Sequence, residues 1–452
     1  MKGDFTRVTF DSTKHYSRVL MQQGRVQLDA DWNEQAAILL HYLQALAADL
    51  VGPFGGPDSD LLGFELSDGQ PKTDFKIGPG HYYVDGLLCE NNSDSDASYF
   101  KQRDYQDDYF SSTRRPKLPT GMYLAYLDAW EHHVTPLEDN HMREVALGGP
   151  DTATRARIVW QVKLDTIDGA RTPTAAEIYK NWRERVDRWQ PPQRGSLQVR
   201  LKPTEPNTDP CTIPPTSAYR GQENQLYRVE IHAGGKLADG PTFKWSRDNG
   251  STVAAWQGNS EDNGLILSSV RGFSGAPWVE ITSAADDLNG KVGDMLRVVK
   301  LESDTLYLEK PLAWDGANPK KVRRWDQYES ETVALKNGVI PLKEGTTEND
   351  WIDLEDGIQV QFQPAPGQAT QYRAGDYWLI PARTNGTIEW PLELDNDGKP
   401  TKDAAGNTIP SSLAPFGITH HYAPLWIFTA KGDGVIDLAN GDLRRKFPAA
   451  AK

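Results

Sequence analysis

The sequence has few cysteines, no long apolar run and no excess of basic residues, and each absence excludes a class of protein. Two cysteines in 452 residues, Cys89 and Cys211, are too few for a disulfide framework. Nothing requires them to pair, and two buried thiols in a reducing compartment are favoured. No stretch approaches the roughly 18 apolar residues that span a bilayer. The net charge of -14 argues against nucleic acid as a main partner, because phosphate binding needs a basic face.

The first residues have no signal-peptide pattern. Met1 to Phe5 read Met-Lys-Gly-Asp-Phe, and no apolar run follows them. The sequence therefore predicts synthesis in the cytoplasm. A protein of this kind would reach the outside by cell lysis or as part of an assembled particle.

The sequence signatures of common enzyme chemistry are also missing. There is no Gly-x-Ser-x-Gly elbow, no phosphate-binding Gly-x-x-x-x-Gly-Lys-Ser/Thr loop and no dinucleotide fingerprint after a strand. Neither cysteine lies in a catalytic signature. We therefore expect no catalytic residues, no cofactor and no enzyme activity. A glycan hydrolase stays open as an alternative, because its paired carboxylates leave no reliable trace in a sequence.

Three polar clusters imitate metal sites. The pair His132-His133 lies near several acidic residues, but adjacent histidines on a strand point to opposite faces and cannot both bind one ion. The pair His420-His421 has the same difficulty. Residues 393–398 resemble the start of a calcium loop, but the twelfth position holds Ala404 where a bidentate glutamate is needed. We expect no metal at any of them.

Aromatic residues and turn formers are abundant. The chain has 14 Trp, 17 Tyr and 13 Phe, and its 30 Pro and 39 Gly divide it into short runs. Aromatic and β-branched runs between such turns are typical of a mainly β protein. We predict several β-sandwich or small-barrel domains, an N-terminal amphipathic helix and one inserted helix. Asp85-Gly86 predicts a hairpin turn, and Asn249-Gly250 predicts a turn with positive φ.

The chain divides into four predicted regions. The inserted helix begins at a capping box formed by Thr174 and Glu177, and four strands of a small barrel or sandwich are expected between residues 264 and 310. The regions are an N-terminal strand-turn-strand plus helix docking element (1–57), a β domain with the inserted helix near 174–189 (58–260), a small β module (261–326) and a C-terminal β region (327–452).

The N-terminal region has the most regular pattern. Alternating apolar residues in 16–28 predict a strand, a turn and a strand. Asp31 and Glu34 have the spacing of a capping box. Leucines then recur as one helical stripe until Gly52-Pro53 ends the helix, at Leu39, Leu43, Leu46 and Leu50. The stripe can pack on its own domain or dock on another subunit, and periodicity alone does not distinguish the two.

Five stretches of this sequence resemble an uncharacterised bacterial family encoded among contractile injection systems, the phage-tail-like particles that drive a spiked tube through a membrane. The stretches are 16–35, 227–232, 243–251, 375–383 and 420–425. The resemblance implies a structural part of the particle, at or around the baseplate or spike. It implies contacts with copies of itself, as a closed sixfold homo-oligomer, and with baseplate, spike or sheath subunits. It supplies no catalytic residues.

The predicted mechanism is mechanical: large protein–protein interfaces would hold or cage the spike and release it when the sheath contracts. The predicted assembly contacts all lie in the N-terminal region and are Arg18, Leu20, Arg25, Trp32, Leu39 and Leu43. The alternative function is a receptor- or carbohydrate-binding module on the particle exterior. Aromatic side chains such as Trp182, Trp189 and Trp278 would then stack on sugars instead of packing in a core.

Overall fold

The computed structural model describes residues 1–92, 97–104, 117–169, 171–203, 218–313, 320–365, 367, 369–404, 406–439 and 441–447. Cys211 lies outside these residues, while the thiol of Cys89 is buried and free. The helices are α1 (Asp29–Val51), α2 (Ala175–Lys180), α3 (Trp182–Trp189) and α4 (Ala284–Leu288). The strands are β1 (Phe54–Pro57), β2 (Leu66–Asp68), β3 (Phe75–Ile77), β4 (Gly80–Val84), β5 (Leu87–Asn91), β6 (Gly121–Val134), β7 (Arg155–Ile167), β8 (Ser196–Leu201), β9 (Gln225–Ala233), β10 (Thr242–Ser246), β11 (Val253–Asn259), β12 (Leu265–Leu267), β13 (Trp278–Ser283), β14 (Asp294–Glu302), β15 (Thr305–Leu308), β16 (Lys320–Trp325), β17 (Ile340–Pro341), β18 (Ile352–Asp353), β19 (Ile358–Gln363), β20 (Tyr377–Arg383), β21 (Thr387–Ile388), β22 (His420–Ala430), β23 (Ile436–Asp437) and β24 (Lys446–Phe447).

The fold is mainly β, with several sheets and one closed barrel, which confirms the predicted fold class. The helix predicted near 174–189 is present as α2 and α3, with Asn181 between them. Thr174 and Glu177 form the predicted capping box. The short helix α4 was not predicted, although Ser283 and Asp286 cap it in the same way. No helix in the described parts of the chain combines the length and the apolar character that a membrane crossing requires.

The chain packs into two compact units, each built from separate stretches of sequence. The first unit contains residues 1–9, 28–30 and 192–417. The second unit contains residues 10–27, 31–191 and 418–452, within the described ranges.

The first unit contains two larger sheets and a small one. A five-stranded sheet has the order β17-β10-β9-β20-β21, and a three-stranded sheet has the order β18-β19-β8. The closed barrel runs β11-β12-β15-β14-β13-β16. Five of its strands lie within the predicted small β module (261–326), four of them near the predicted strand positions, and β11 completes the barrel. The turn after β10 has the predicted positive φ at Asn249 and Gly250.

Charged side chains are buried between the strands of the first unit. Lys244 on β10 is 2% exposed and its Nζ lies 2.6 Å from Glu280 and 3.4 Å from Glu230. Trp325 donates its indole N–H to Glu280. Lys2 forms a second ion pair with Glu230 at 2.9 Å. Each buried carboxylate therefore has cationic or hydrogen-bonding partners, which offset the cost of removing it from water.

The second unit is centred on long antiparallel strands. β6 pairs with β7 on one side and with β22 on the other, in a sheet of order β23-β22-β6-β7. A second sheet has the order β24-β1-β4-β5, and β2 pairs with β3. The predicted hairpin joins β4 and β5 through Asp85 and Gly86, both with positive φ. Burial in this core raises the pKa of the Cys89 thiol to about 12.

Replacing Lys244 with methionine is expected to lower the free energy of unfolding by about 3 kcal/mol or more, because it leaves buried carboxylates with fewer partners. Equilibrium urea unfolding measures the change. Lys300→Met is the matched control, since Lys300 pairs with Glu302 on an exposed strand and such pairs contribute about 1 kcal/mol or less. Equal losses in the two variants would contradict a structural role for the buried pair.

The free energy of unfolding should decrease from pH 7 to pH 5 because of His232. Burial, followed by the nearby Lys244 charge, lowers the pKa of His232 from 6.5 to about 4. The unfolded chain therefore binds a proton in this range that the folded chain does not, and stability drops by about 2 kcal/mol. His232→Gln should remove most of that drop in urea unfolding at the two pH values. His81→Gln is the control variant, because the His81 side chain is more exposed than that of His232, and the drop should persist in it.

Candidate assembly interface

The helix α1 begins at Asp29, two residues before the predicted start. Thr6 donates its backbone N–H and its hydroxyl to the Asp29 carboxylate, at 3.0 and 2.6 Å. Burial alone would raise the pKa of Asp29, but these hydrogen bonds outweigh it and the pKa is lowered. The predicted capping box was wrong, because Asp31 and Glu34 both lie inside the helix. The first residue of the helix thus has a hydrogen-bonding partner 23 residues earlier in the sequence.

Residues 16–28 form no strand in the structure, so the predicted strand-turn-strand was wrong. The turn itself is present, with the Arg25 N–H donating to the Gln22 carbonyl. The flanking residues have no neighbouring strand among the described residues, and an alternating pattern needs such a partner to become a ladder. The segment is joined to α1 by the Val19 N–H, which donates to the Gln35 side chain at 2.8 Å.

The faces of α1 are reversed relative to an ordinary surface helix. Ala30 and Ile38 are buried, and the other inward positions are mostly small or polar, such as Gln44 and Ala48. The large apolar side chains point outward: Leu43 is 62% exposed and Leu50 is 75% exposed. Surface helices normally turn their apolar stripe toward the core. The predicted leucine stripe is therefore present, and it does not pack on its own chain.

The inward face of α1 fits closely against the β4–β5 turn. A Cβ at Gly86 would lie 2.2 Å from the Gln44 carbonyl oxygen, so only glycine allows this approach. The Phe10 ring contacts the His41 ring at 5.7 Å. At the other end, Gly52 adopts φ +85 and donates its N–H to the Ala48 carbonyl, as a helix C-terminus requires. The helix is thus fixed along its length by its small and polar side.

The six predicted contact residues are all exposed. Leu20 and Trp32 are 69% and 68% exposed, on the irregular segment and on the first turn of α1 respectively. Arg18 and Arg25 are exposed on the same irregular segment, and Leu39 and Leu43 belong to the outward stripe. Sequence reasoning missed further exposed apolar residues of this region, namely Met21, Val26, Leu40 and Tyr42. We call residues 16–51 the docking segment.

The histidines of the two pairs have hydrogen-bonding partners in the structure. His132 lies 3.3 Å from Glu138, and His133 lies 2.8 Å from the Thr154 hydroxyl. His421 lies 3.0 Å from Asp85. Across the residues that the structure describes, no group of three His, Cys, Asp or Glu side chains is arranged to hold a metal ion.

The acidic loop 393–398 is a tight turn. Asp395 accepts the backbone N–H groups of Asp397 and Lys399, both at 2.9 Å. Its carboxylate thus holds the turn together, as aspartate commonly does in reverse turns.

A buried carboxylate on β6 was not predicted. Asp128 is 2% exposed and binds His420 and Lys163, each at 2.6 Å. Burial alone would raise the pKa of Asp128, but these two partners lower it. His420 lies almost three hundred residues further along the chain, so no local sequence signal points to the pair. His420 of the pair His420-His421 therefore has a structural role, as a partner of the buried Asp128.

Two of the tryptophans considered for sugar binding are half-buried against aromatic residues of the second unit. Trp189 stacks on Tyr126 with ring centroids 4.0 Å apart and contacts Tyr422. Trp182 packs edge-on against Phe54. Packing against aromatic neighbours accounts for both tryptophans without a ligand.

Comparison with known proteins shows the family of this chain. The family model of DUF6519, a family of unknown function, matches residues 1–187, 192–260 and 273–435, and the chain belongs to that family. No curated protein and no solved structure matches the chain.

Replacing Gly86 with alanine should loosen α1. The new methyl group meets the Gln44 carbonyl, so the helix must shift, and overpacking of this kind costs about 1–3 kcal/mol. Hydrogen exchange of residues 31–51 should become faster. Gly148→Ala is the matched control, because Gly148 has nearly the same φ and open space around it. Unchanged exchange in Gly86→Ala would show that the turn does not support the helix.

Proposed function

We propose that this protein is a structural subunit of a contractile, phage-tail-like injection particle. The docking segment attaches it to neighbouring subunits at or around the baseplate or spike. The resemblance of five sequence stretches to proteins encoded among such systems suggests the particle. The outward leucine stripe of α1 is the observation that carries the assembly role.

Exposure of the leucine stripe to water is unfavourable unless a partner covers it. Fully burying one leucine stabilises a structure by about 1.5–3 kcal/mol, and α1 leaves Leu39, Leu43, Leu46 and Leu50 more than half exposed. Isolated exposed leucines are ordinary, but a contiguous apolar patch of this kind marks an interaction site. The inward side of the helix is already packed, so rotation of α1 would not bury the leucines without exposing Ile38.

The charges of the docking segment favour a protein partner. The helix α1 carries Asp29, Asp31, Glu34 and Asp49 and has no lysine or arginine. Helices that bind membrane surfaces have basic residues on their polar face, because these attract anionic lipid. An acidic polar face with an apolar stripe suits a helix or groove of another protein instead.

The remainder of the chain supplies two compact β units. Extensive antiparallel sheets and buried ion pairs hold each unit, as described above. An assembly part that holds a spike needs such rigidity, because a mechanical load must not unfold its core. The proposal therefore assigns attachment to the docking segment and resistance to deformation to the β units.

The double variant Leu39→Asp, Leu43→Asp should be incorporated into particles at least about tenfold less than the wild type, since two charges would enter an apolar contact. Quantitative mass spectrometry of purified particles measures incorporation. Ala45→Asp is the control, because Ala45 is exposed on the same helix but outside the stripe. Circular dichroism must show that all variants are folded.

Point variants are preferable to deletion of residues 1–50. That deletion would also remove Lys2, the partner of buried Glu230, and would destabilise the first unit. A folded double variant that enters particles at the normal level would refute the docking role.

A further inference from the structure

The outward residues of α1 form a strict coiled-coil seam. Apolar residues recur at alternating spacings of four and three, which is the a/d pattern of a heptad repeat. Each member is exposed in the structure, and the seam consists of Trp32, Ala36, Leu39, Leu43, Leu46 and Leu50. A 3.5-residue repeat predicts packing against another helix at a shallow left-handed angle.

We infer that the seam is covered by α1 of a second copy of this chain, packed antiparallel about a two-fold axis at the level of His41. This inference deepens the proposed function and rests on it, because it names the partner of an assembly surface. The two-fold axis makes the contact isologous, so the same surface is used by both copies.

The seam is self-complementary when the helices run in opposite directions. In antiparallel pairs an a residue packs against a d residue of the partner. With the axis at His41, Leu39 packs against Leu43 of the second copy, and Leu46 packs against Ala36. Trp32 packs against Leu50 at each end. Every layer then combines an a with a d position, and the smallest residue faces a leucine.

The flanking positions also match in this register. Leu40 of one copy meets Leu40 of the other across the axis, and Tyr42 meets Tyr42. Further out, Asn33 faces Ala47, and Gln35 faces Asp49. No flanking pair brings like charges directly together in this register.

The charges of α1 select the antiparallel arrangement. Three acidic residues lie in its first two turns, at Asp29, Asp31 and Glu34. A parallel pair would place both acidic ends side by side, and like charges at that distance repel. The antiparallel pair separates them by the length of the helix and also places the helix dipoles in opposite directions.

Thiol cross-linking tests the register on the full-length chain. Leu40→Cys and Leu50→Cys are made separately in a Cys211→Ser background, in which the one remaining native thiol, Cys89, is buried. A short bismaleimide is added, and covalent dimer is measured on a denaturing gel. In the antiparallel pair the Leu40 positions adjoin, whereas the two Leu50 positions lie about 27 Å apart along the axis.

Leu40→Cys should form covalent dimer and Leu50→Cys should not. Dimer in both variants would indicate a parallel pair and overturn the inference. Dimer in neither variant, with a monomer mass by sedimentation equilibrium at micromolar concentrations, would overturn it as well.

A second measurement distinguishes dimerisation through the seam from nonspecific cross-linking. Leu43→Asp with Leu46→Asp should weaken dimerisation by at least about a hundredfold, because two apolar layers are lost in each copy. Ala45→Asp, on the same helix outside the seam, should dimerise like the wild type. If Ala45→Asp weakened dimerisation as much as the double variant does, the seam would not be the dimer contact.

The two proposals can fail separately. If the chain dimerises as described but the Leu39→Asp, Leu43→Asp variant enters particles normally, the particle role fails and the helix pair stands. If the wild type is monomeric while that variant is excluded from particles, the docking segment binds a different subunit and the antiparallel pair is wrong.

Discussion

A helix whose apolar stripe faces away from its own chain is the feature on which the functional interpretation depends. It exists because the opposite side of α1 is small and polar enough to lie against the β4–β5 turn. Gly86 admits the helix backbone there, and Ile38 is the one large apolar side chain buried on that side. A bulkier inward face would have required a deeper groove. The sequence of α1 thus places Ile38 against the fold and the leucine stripe on the outer surface.

The two units show how buried charge can be tolerated in β structure. Glu230 and Glu280 share Lys244, and Asp128 is shared by His420 and Lys163. In each case the strands bring residues from distant parts of the chain together, and every carboxylate is multiply paired. Removing one partner costs more than the pair contributes, because the remaining charge stays buried. These networks therefore restrict which strand arrangements are compatible with the sequence.

Local signals predicted local features. Turn chemistry located the Asp85-Gly86 hairpin, the capping box at Thr174 was present, and the leucine stripe followed from its spacing. The errors arose where a distant residue decides the outcome. The helix α1 begins at Asp29, whose carboxylate binds the distant Thr6, and residues 16–28 lack the partner strand that their alternation requires. Periodicity identified the stripe but not its direction, because the direction depends on Gly86 and Gln44, which no pattern within α1 reveals.

Rigidity of the docking segment bears on how strongly it can bind. A helix that orders only on contact must lose conformational freedom at that moment, which lowers affinity. The helix α1 is held before any partner arrives, by the Thr6–Asp29 hydrogen bonds, the close approach at Gly86 and the Gly52 terminus. Its leucines are therefore presented in a fixed register. A preformed seam can select one helix alignment over others, since a shift by one heptad would leave two layers uncovered at each end. The fixed positions of the leucines and their self-complementary spacing together favour a specific, symmetric contact over nonspecific hydrophobic association.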